Sequence, residues 1–130
     1  MESWKWHKDI KERQQIIALR MEGEEGFPSS AAIQISGDGQ FLYASLRSEF
    51  NEIIVLKNDP TTSKMEIIQR IDAGGAVPRF INFTPDEKIL TVALQDDDSI
   101  LLFDRNQETG KLKTQPQRVM AKTPVCVVYK

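Results

Sequence analysis

The sequence predicts an all-β fold in which antiparallel sheets of four short strands repeat along the chain. Residues 35–47 recur as residues 83–95, at an offset of 48. Within each copy, short segments rich in β-branched and aromatic residues alternate with Gly, Pro and Asp, which favour turns. Repeats of roughly 40 to 50 residues with several strands each are typical of β-propeller blades, whereas helical repeats space apolar residues by three and four. The chain is therefore predicted to be a partial β-propeller of about two and a half antiparallel four-stranded blades.

The first two repeats supply the two complete blades. Gly37 to Gly39 and the matching Pro85 to Glu87 provide residues suited to the tight turn of a hairpin. The next hairpin turns at residues 106–110 of the second copy, where Gly110 can adopt a left-handed conformation. A third copy begins at Pro124. The predicted strands are residues 31–36, 41–46, 53–57, 65–71, 79–84, 89–94, 99–104, 111–119 and 124–129.

The N-terminal part is interpreted as the remainder of a preceding blade. Residues 8–20 contain helix-favouring Lys, Glu, Arg and Gln but end in the apolar run at 16–19. A helix is the alternative, but the repeat frame favours an outer strand over residues 14–21. We therefore divide the chain into a divergent N-terminal segment, 1–13, and a partial propeller, 14–130.

Composition and charge exclude several classes of partner. A net charge of -2 with interspersed acidic and basic residues gives no field of one sign, so we expect neither nucleic acid nor membrane as a partner. The N-terminus is polar and lacks the apolar core of a signal peptide, so a soluble, cytoplasmic protein is expected. One His and one Cys cannot form a tetrahedral zinc site, so we expect no metal and no cofactor. Cys126 is expected to be a buried, inert thiol.

Several segments, in order and with matching gaps, carry a resemblance to a known family. Residues 31–45 resemble the pattern SAAEIRISPDGRFLYAS of the lactonase-type seven-bladed β-propeller family, which includes bacterial 6-phosphogluconolactonases. Residues 75–80 resemble its GxxPRxF segment, residues 92–96 its VANQD segment, and residues 124–127 its closing PVCV strand. The resemblance implies a sugar-lactone hydrolase of carbohydrate metabolism, of which this chain would be the C-terminal third.

The resemblance also implies a site. Lactone hydrolysis needs a base and a positive or hydrogen-bonding group where the carbonyl oxygen becomes negative. A phosphorylated substrate suits the two-pronged guanidinium of arginine. Arg47 and Arg79 match motif positions at the family's ligand pocket and are predicted to be catalytic, as contacts to the substrate anion or oxyanion. Gln95 and Asp96 are predicted to bind substrate.

Departures from the family pattern leave a second hypothesis open. Ala32 stands where the family has Glu, and Leu46 and Leu94 stand where it has Asn. A general base would then have to come from the acidic run at residues 96–98, which is also interpreted as a hydrated turn. The chain is therefore either a lactonase-like hydrolase or a degenerate, non-catalytic propeller piece that acts through binding or assembly.

The two arginines also have a purely structural interpretation. Arg47 lies close in sequence to Glu49, and Arg79 close to Asp72. Each pair is a candidate for a solvated ion pair on a loop. This interpretation is open to a direct structural test.

Blade number leads to an expectation about partners. Each propeller sheet buries both faces against its neighbours, so a stack of two blades exposes two apolar faces. Large exposed apolar patches indicate a partner or aggregation. We expect self-association, with about three chains approximating a seven-bladed ring.

Overall fold

The computed structural model describes residues 1–7, 10–27 and 29–130, with side chains described at residues 1–2, 13, 15–27 and 29–130. It confirms an all-β fold, in which two four-stranded antiparallel sheets follow a two-stranded hairpin. One short 3-10 turn, Gln95–Asp97, interrupts the described strands. The strands are β1 (Glu2–His7), β2 (Ile10–Ile16), β3 (Ser29–Ile35), β4 (Phe41–Arg47), β5 (Glu52–Asn58), β6 (Met65–Asp72), β7 (Pro78–Phe83), β8 (Ile89–Leu94), β9 (Ser99–Asp104) and β10 (Gln117–Met120).

Both sheets are simple meanders, as propeller blades are. The first sheet has the order β3-β4-β5-β6 and the second has β7-β8-β9-β10, so every neighbour in the sheet is also a neighbour in sequence. The tight turn after β3 is fixed by Asp38, whose carboxylate accepts bonds from the Ser36 hydroxyl at 2.6 Å and the Gln40 amide at 2.9 Å. These bonds hold the pKa of Asp38 below its ordinary value. Asp86 repeats this arrangement in the second sheet with Thr84 and Lys88.

The main core lies between the two sheets. We call the face of a sheet that points toward the following blade its forward face, and the opposite face its backward face. Tyr43 and Val55, on the forward face of the first sheet, pack with Val92 and Phe103, on the backward face of the second. Neighbouring residues along these strands alternate between the two faces, which is why the buried strands read as nearly continuous apolar runs.

A buried arginine joins the two sheets at the end where β3 and β7 finish. The side chain of Arg105 is 1 % exposed and lies over the rings of Phe41, Tyr43 and Phe83 at 5.2 to 5.6 Å. Its Nε donates to the Tyr43 hydroxyl at 2.7 Å, and Nη1 donates to the carbonyl of Glu87 at 3.1 Å. Burial raises the pKa of Tyr43. The charge is therefore held by hydrogen bonds and aromatic faces rather than by water.

The residues that flank the β1–β2 hairpin pack on the backward face of the first sheet. There Leu46, Ile54 and Leu56 form a second buried cluster against which Met1 and Ile17 pack. The hairpin thus stands where the two outer strands of a preceding blade would lie.

A glutamine side chain hydrogen-bonds across each of two contacts, that of the hairpin with the first sheet and that of the first sheet with the second. Gln15 of β2 donates to the carbonyl of Met65 at 2.9 Å and accepts from its amide at 2.7 Å. Gln69 of β6 makes the same pair of bonds with Leu112, both at 2.8 Å. We call this arrangement the glutamine bridge. The bridge satisfies the backbone amide and carbonyl of Met65 in the first case and of Leu112 in the second.

Two sequence predictions about outer strands need correction. The outer strand predicted at 14–21 is Ile10–Ile16, because its length is set by the β1 partner, and the Ile17 amide then bonds to the carbonyl of Met1. The strand predicted at 111–119 is interrupted, since Pro116 offers no amide for a ladder and only Gln117–Met120 pairs with β9.

The C-terminal predictions also need correction. No strand is assigned over residues 124–129, because no described segment pairs with its backbone as a ladder. Within the described residues, one hydrogen bond holds this segment to the second sheet, from the side-chain amide of Asn82 to the carbonyl of Val127 at 3.0 Å. Cys126 is exposed rather than buried, since nothing described covers its side of this segment.

Candidate functional site

The four residues predicted to form the site lie at one end of the two sheets. We call this end, where β3 and β7 begin, the entry end. Arg47 ends β4 opposite Ser29, the first residue of β3. Arg79 is the second residue of β7, and Gln95 and Asp96 follow β8, whose last residue Leu94 pairs with Pro78. The meander topology therefore brings all four to the same edge, as the repeat frame requires.

Arg47 is half-buried and its hydrogen-bonding capacity is only partly used. Its Nη2 donates to the Ser29 hydroxyl at 3.2 Å. Its Nε is buried and has no hydrogen-bond partner within the described part of the chain. The Nε of Arg70 is likewise buried without a partner, and an unpaired buried N–H is costly.

Arg79 is exposed and makes no hydrogen bond or ion pair with any described residue. The register makes Ala31 its counterpart in the first sheet, and Val125 is its counterpart in the third copy. Packing residues recur between copies, whereas a cation at only one of three equivalent positions is not required by the blade.

The acidic run after β8 divides into one unbonded and two bonded carboxylates. Asp96 is exposed and accepts no hydrogen bond from the described residues. The Asp97 carboxylate accepts from the amide of Ala76 at 2.8 Å, and that of Asp98 accepts from the amide of Thr123 at 2.7 Å. The run is a turn, as predicted, with Asp96 and Asp98 exposed; Asp97 and Asp98 in addition hold the segments that precede Pro78 and Pro124.

Asn51 and Asp98 occupy equivalent turns and hold these linkers in the same way. Both residues have left-handed backbones, with φ of 45° and 48°. The backbone carbonyl of Asn51 accepts from Ala73 at 2.8 Å, and its side-chain oxygen accepts from Val77 at 3.0 Å. In the same way, the backbone carbonyl of Asp98 accepts from the amide of Ala121 at 2.8 Å, and its carboxylate accepts from the amide of Thr123 at 2.7 Å. We call this arrangement the linker clamp.

The linker clamp holds two β-branched residues in a strained conformation. Val77 has φ of 56° and Thr123 has φ of 44°, a region that β-branched residues rarely adopt. Each immediately precedes a proline, and the first of these, Pro78, starts β7. The carbonyl of Val77 also accepts from the amide of Gln95 at 3.0 Å. Hydrogen bonds from Asn51 of the first sheet and Gln95 of the second hold the strained backbone of Val77, and so fix the direction in which β7 begins.

The ion pairs proposed as an alternative for the arginines are not formed among the described residues. The carboxylate of Glu49 instead accepts from the amide of Phe27 at 3.0 Å, and that of Asp72 accepts from the amide of Gly74 at 2.6 Å. Both carboxylates thus act as local backbone acceptors. Arg47 and Arg79 remain available to a ligand.

The site is an open edge of the two sheets. None of three surface depressions of about 680 to 760 Å³ is lined by the four predicted residues, although one of them, lined by Asn51, Asp72 and Gly75, lies at the entry end. The described residues contain no cluster of three His, Cys, Asp or Glu side chains able to hold a metal ion. Within the same residues, no helix has the length and apolar character needed to cross a membrane.

Sequence reasoning missed the residues that support the site. Ser29 orients Arg47, and Asn51 and Val77 set the start of β7. A signal for the linker clamp was present, because Val77-Pro78 and Thr123-Pro124 recur 46 residues apart. The interaction partners cannot be inferred from that spacing, since they lie on other strands.

The meander sheets, their face-to-face packing and the arginine-bearing entry end together define a β-propeller segment. The sequence profile described as "Lactonase, 7-bladed beta-propeller" matches residues 2–129. The chain belongs to this lactonase family.

Individual relatives agree with that assignment. An uncharacterized protein of Lactococcus lactis subsp. cremoris MG1363 is 36% identical over 116 residues, which cover 89% of this chain and 34% of the relative. The 6-phosphogluconolactonase of Bacillus subtilis 168 is 30% identical over 99 residues, covering 76% of this chain and 28% of the enzyme. The crystal structure of a putative 6-phosphogluconolactonase from Bacteroides fragilis NCTC 9343 superposes with a TM-score of 0.84 at 29% identity, covering 96% of this chain and 34% of that one. The chain thus spans about a third of the length of these relatives.

Proposed function

We propose that this chain carries the anion-binding part of a sugar-lactone hydrolase site of the 6-phosphogluconolactonase type. The observation that supports the proposal is the pair of arginines at the entry end, Arg47 with a buried and unpartnered Nε and Arg79 with no partner at all among the described residues. Two guanidinium groups at one edge suit a substrate that carries both a phosphate and a carbonyl oxygen that becomes negative.

The proposal gives each predicted residue a role. Water attacks the lactone carbonyl carbon, and the carbonyl oxygen becomes an oxyanion that the arginines stabilise. Asp96 takes the proton from the attacking water, because it is the carboxylate of the acidic run that no described backbone group occupies. The ring C–O bond then breaks, and the departing alkoxide takes up the proton that Asp96 had removed, which gives the open sugar acid and restores the Asp96 carboxylate. The Gln95 side chain, half-buried beside Asp96, hydrogen-bonds a sugar hydroxyl.

The test is lactone hydrolysis above the spontaneous rate. The 130-residue chain is assayed with 6-phosphogluconolactone, and Arg79→Ala and Asp96→Asn are each expected to remove the excess rate. Arg13→Ala is the matched control, because Arg13 is a half-exposed arginine on the outer hairpin whose ion pair is with Glu2. Loss of rate in the control, or no loss in Arg79→Ala, contradicts the proposal.

A second candidate, a non-catalytic propeller piece that acts through binding or assembly, is favoured by the eroded motif positions. Leu46 and Leu94 are fully buried and Ala32 packs against the main core, so these positions serve packing rather than chemistry. This candidate predicts no excess hydrolysis with an intact fold. Restoring the carboxylate with Ala32→Glu discriminates further, since a gain in rate would show that only the base had been lost.

A further inference from the structure

We infer that Asn51, in the turn before β5 of the first sheet, is a positioning residue that sets where Arg79 and Gln95 lie on the second sheet. The inference rests on the proposed function, in which those two side chains bind the substrate. Among the described residues, Asn51 forms no hydrogen bond with either of them. It acts through Val77, which is hydrogen-bonded both to Asn51 and to Gln95.

The side chain of Asn51 is held at both of its polar atoms. Its Nδ2 donates to the carbonyl of Ser48 at 2.9 Å, and its Oδ1 accepts from the amide of Val77 at 3.0 Å. The backbone carbonyl of Asn51 accepts from the amide of Ala73 at 2.8 Å. The left-handed backbone, which asparagine tolerates, allows both oxygens to reach the same linker. Asn51 therefore binds both ends of the linker, residues 73–77.

Carboxylates bind the interior of this linker. That of Asp72 accepts from the amide of Gly74 at 2.6 Å, and that of Asp97 accepts from the amide of Ala76 at 2.8 Å. Backbone amides of the linker are thus bonded to side chains of both sheets. A segment held in this way has little freedom to absorb a displacement of Val77, so the displacement is passed on to β7.

Val77 connects Asn51 to both binding residues. Its carbonyl accepts from the amide of Gln95 at 3.0 Å, and the chain continues through Pro78, whose ring fixes φ, to Arg79. Val77 itself has φ of 56°, a conformation that a β-branched residue keeps only where its surroundings enforce it. Without the bond from Asn51, Val77 is expected to relax. Arg79 and Gln95 would then shift relative to each other.

The second linker clamp has the same geometry but leads to no binding residue. Asp98 accepts from the amide of Thr123 at 2.7 Å, and the position equivalent to Arg79 two residues further on is Val125. Binding groups must be held to within about 0.5 Å of their productive positions. The clamp at Asn51 is therefore expected to control affinity as well as stability, whereas the clamp at Asp98 is expected to control stability alone.

Two matched variants of the 130-residue chain test the effect on affinity. Asn51→Gly and Asp98→Gly each remove a clamping side chain and keep the left-handed backbone, which glycine adopts freely. The affinity for 6-phosphogluconate, measured by calorimetric titration, is expected to fall about three- to tenfold in Asn51→Gly, the loss that corresponds to one hydrogen bond. Asp98→Gly is expected not to lower it. Urea unfolding shows that each variant still folds. An Asn51→Gly chain that binds as tightly as the wild type overturns the inference and leaves the proposed function standing.

Hydrogen exchange of the Gln95 amide tests the geometry without any ligand. Because this amide is bonded to Val77, its exchange is expected to be about threefold faster or more in Asn51→Gly. The Thr84 amide, at the other end of the same sheet, is the internal control and should not change. Asn51→Asp should restore protection, because the Asp98 carboxylate accepts the equivalent bond.

The exchange measurement separates the two possible failures. A wild-type chain that does not bind 6-phosphogluconate contradicts the proposed function, and exchange at Gln95 then decides whether Asn51 positions this part of the second sheet. Exchange at Gln95 that is unaffected by Asn51→Gly, or that rises no more than exchange at Thr84, overturns the inference.

Discussion

Replacing the buried arginine between the sheets is expected to destabilise the protein strongly. Arg105→Ala removes hydrogen bonds from a charged donor to Tyr43 at 2.7 Å and to the Glu87 carbonyl at 3.1 Å, together with a longer ion pair to the Glu87 carboxylate at 3.5 Å, and leaves a cavity among three rings. Hydrogen bonds to charged groups contribute about 1.5–3 kcal/mol each. Part of this loss is offset, because the Tyr43 hydroxyl still donates to the carbonyl of Gly110. We expect the free energy of unfolding to fall by about 3–5 kcal/mol.

A second variant separates packing from charge. Arg105→Met keeps an apolar stem against the aromatic rings and leaves no charge to desolvate, so we expect a loss of only about 1–2 kcal/mol. The assay is urea unfolding followed by circular dichroism. Arg13→Ala, at a half-exposed ion pair with Glu2, is the control and should change the free energy of unfolding by less than about 0.5 kcal/mol. A loss below about 1 kcal/mol in Arg105→Ala would refute the assignment of Arg105 as the joint between the sheets.

Three further predictions concern the turns and the linker clamp. Gly110→Ala should cost about 2–4 kcal/mol, because Gly110 has φ of 72° and a Cβ there would overlap the ring of Phe41. Val77→Asn should leave the free energy of unfolding within about 0.5 kcal/mol or raise it by up to about 1 kcal/mol, since asparagine tolerates the left-handed conformation that strains valine. Asp38 and Asp86 have lowered pKa values, so they stabilise the fold above their ordinary pKa of 3.8, and this contribution is lost as the pH falls through their folded values. Asp38→Asn and Asp86→Asn should therefore flatten the fall in melting temperature below about pH 5.

Each of these predictions has a result that would contradict it. Gly39→Ala is the control for Gly110→Ala, because Gly39 has φ of 71° with no atom near its missing Cβ; equal losses would show that the ring contact is irrelevant. A loss above about 1 kcal/mol in Val77→Asn would show that Val77 is not strained. An acid transition unchanged by both asparagine variants would show that other groups control it.

The strands were predictable because their signals are local. Residues 41–46 and 89–94 read as buried strands, and the turns that precede them contain the Asp that fixes the hairpin. The interruption before β10 was locally marked by Pro116. The pairing of β2 was not predictable, because its bounds depend on a partner strand in the divergent segment.

The contacts between sheets could not be predicted in the same way. Arg105 follows β9 and reads as the start of a polar turn, yet it is buried because three rings of neighbouring strands surround it. Gln69 reads as a solvent-facing residue of an outer strand, yet its partner lies on the next sheet. Family motifs predicted that Arg47 and Arg79 lie at one end. That the Nε of Arg47 is buried without a hydrogen-bond partner depends on the side chains packed around it.

The most direct test of the proposed site is a titration of the chain with 6-phosphogluconate, the sugar acid product, followed by amide resonances in nuclear magnetic resonance. Binding of the product does not require turnover, so it tests the anion site separately from catalysis. The account predicts saturable shifts concentrated at Ser29, Arg47, Arg79 and Gln95, and their loss in Arg79→Ala. Absence of saturable shifts, or shifts spread evenly over both ends of the sheets, would contradict it.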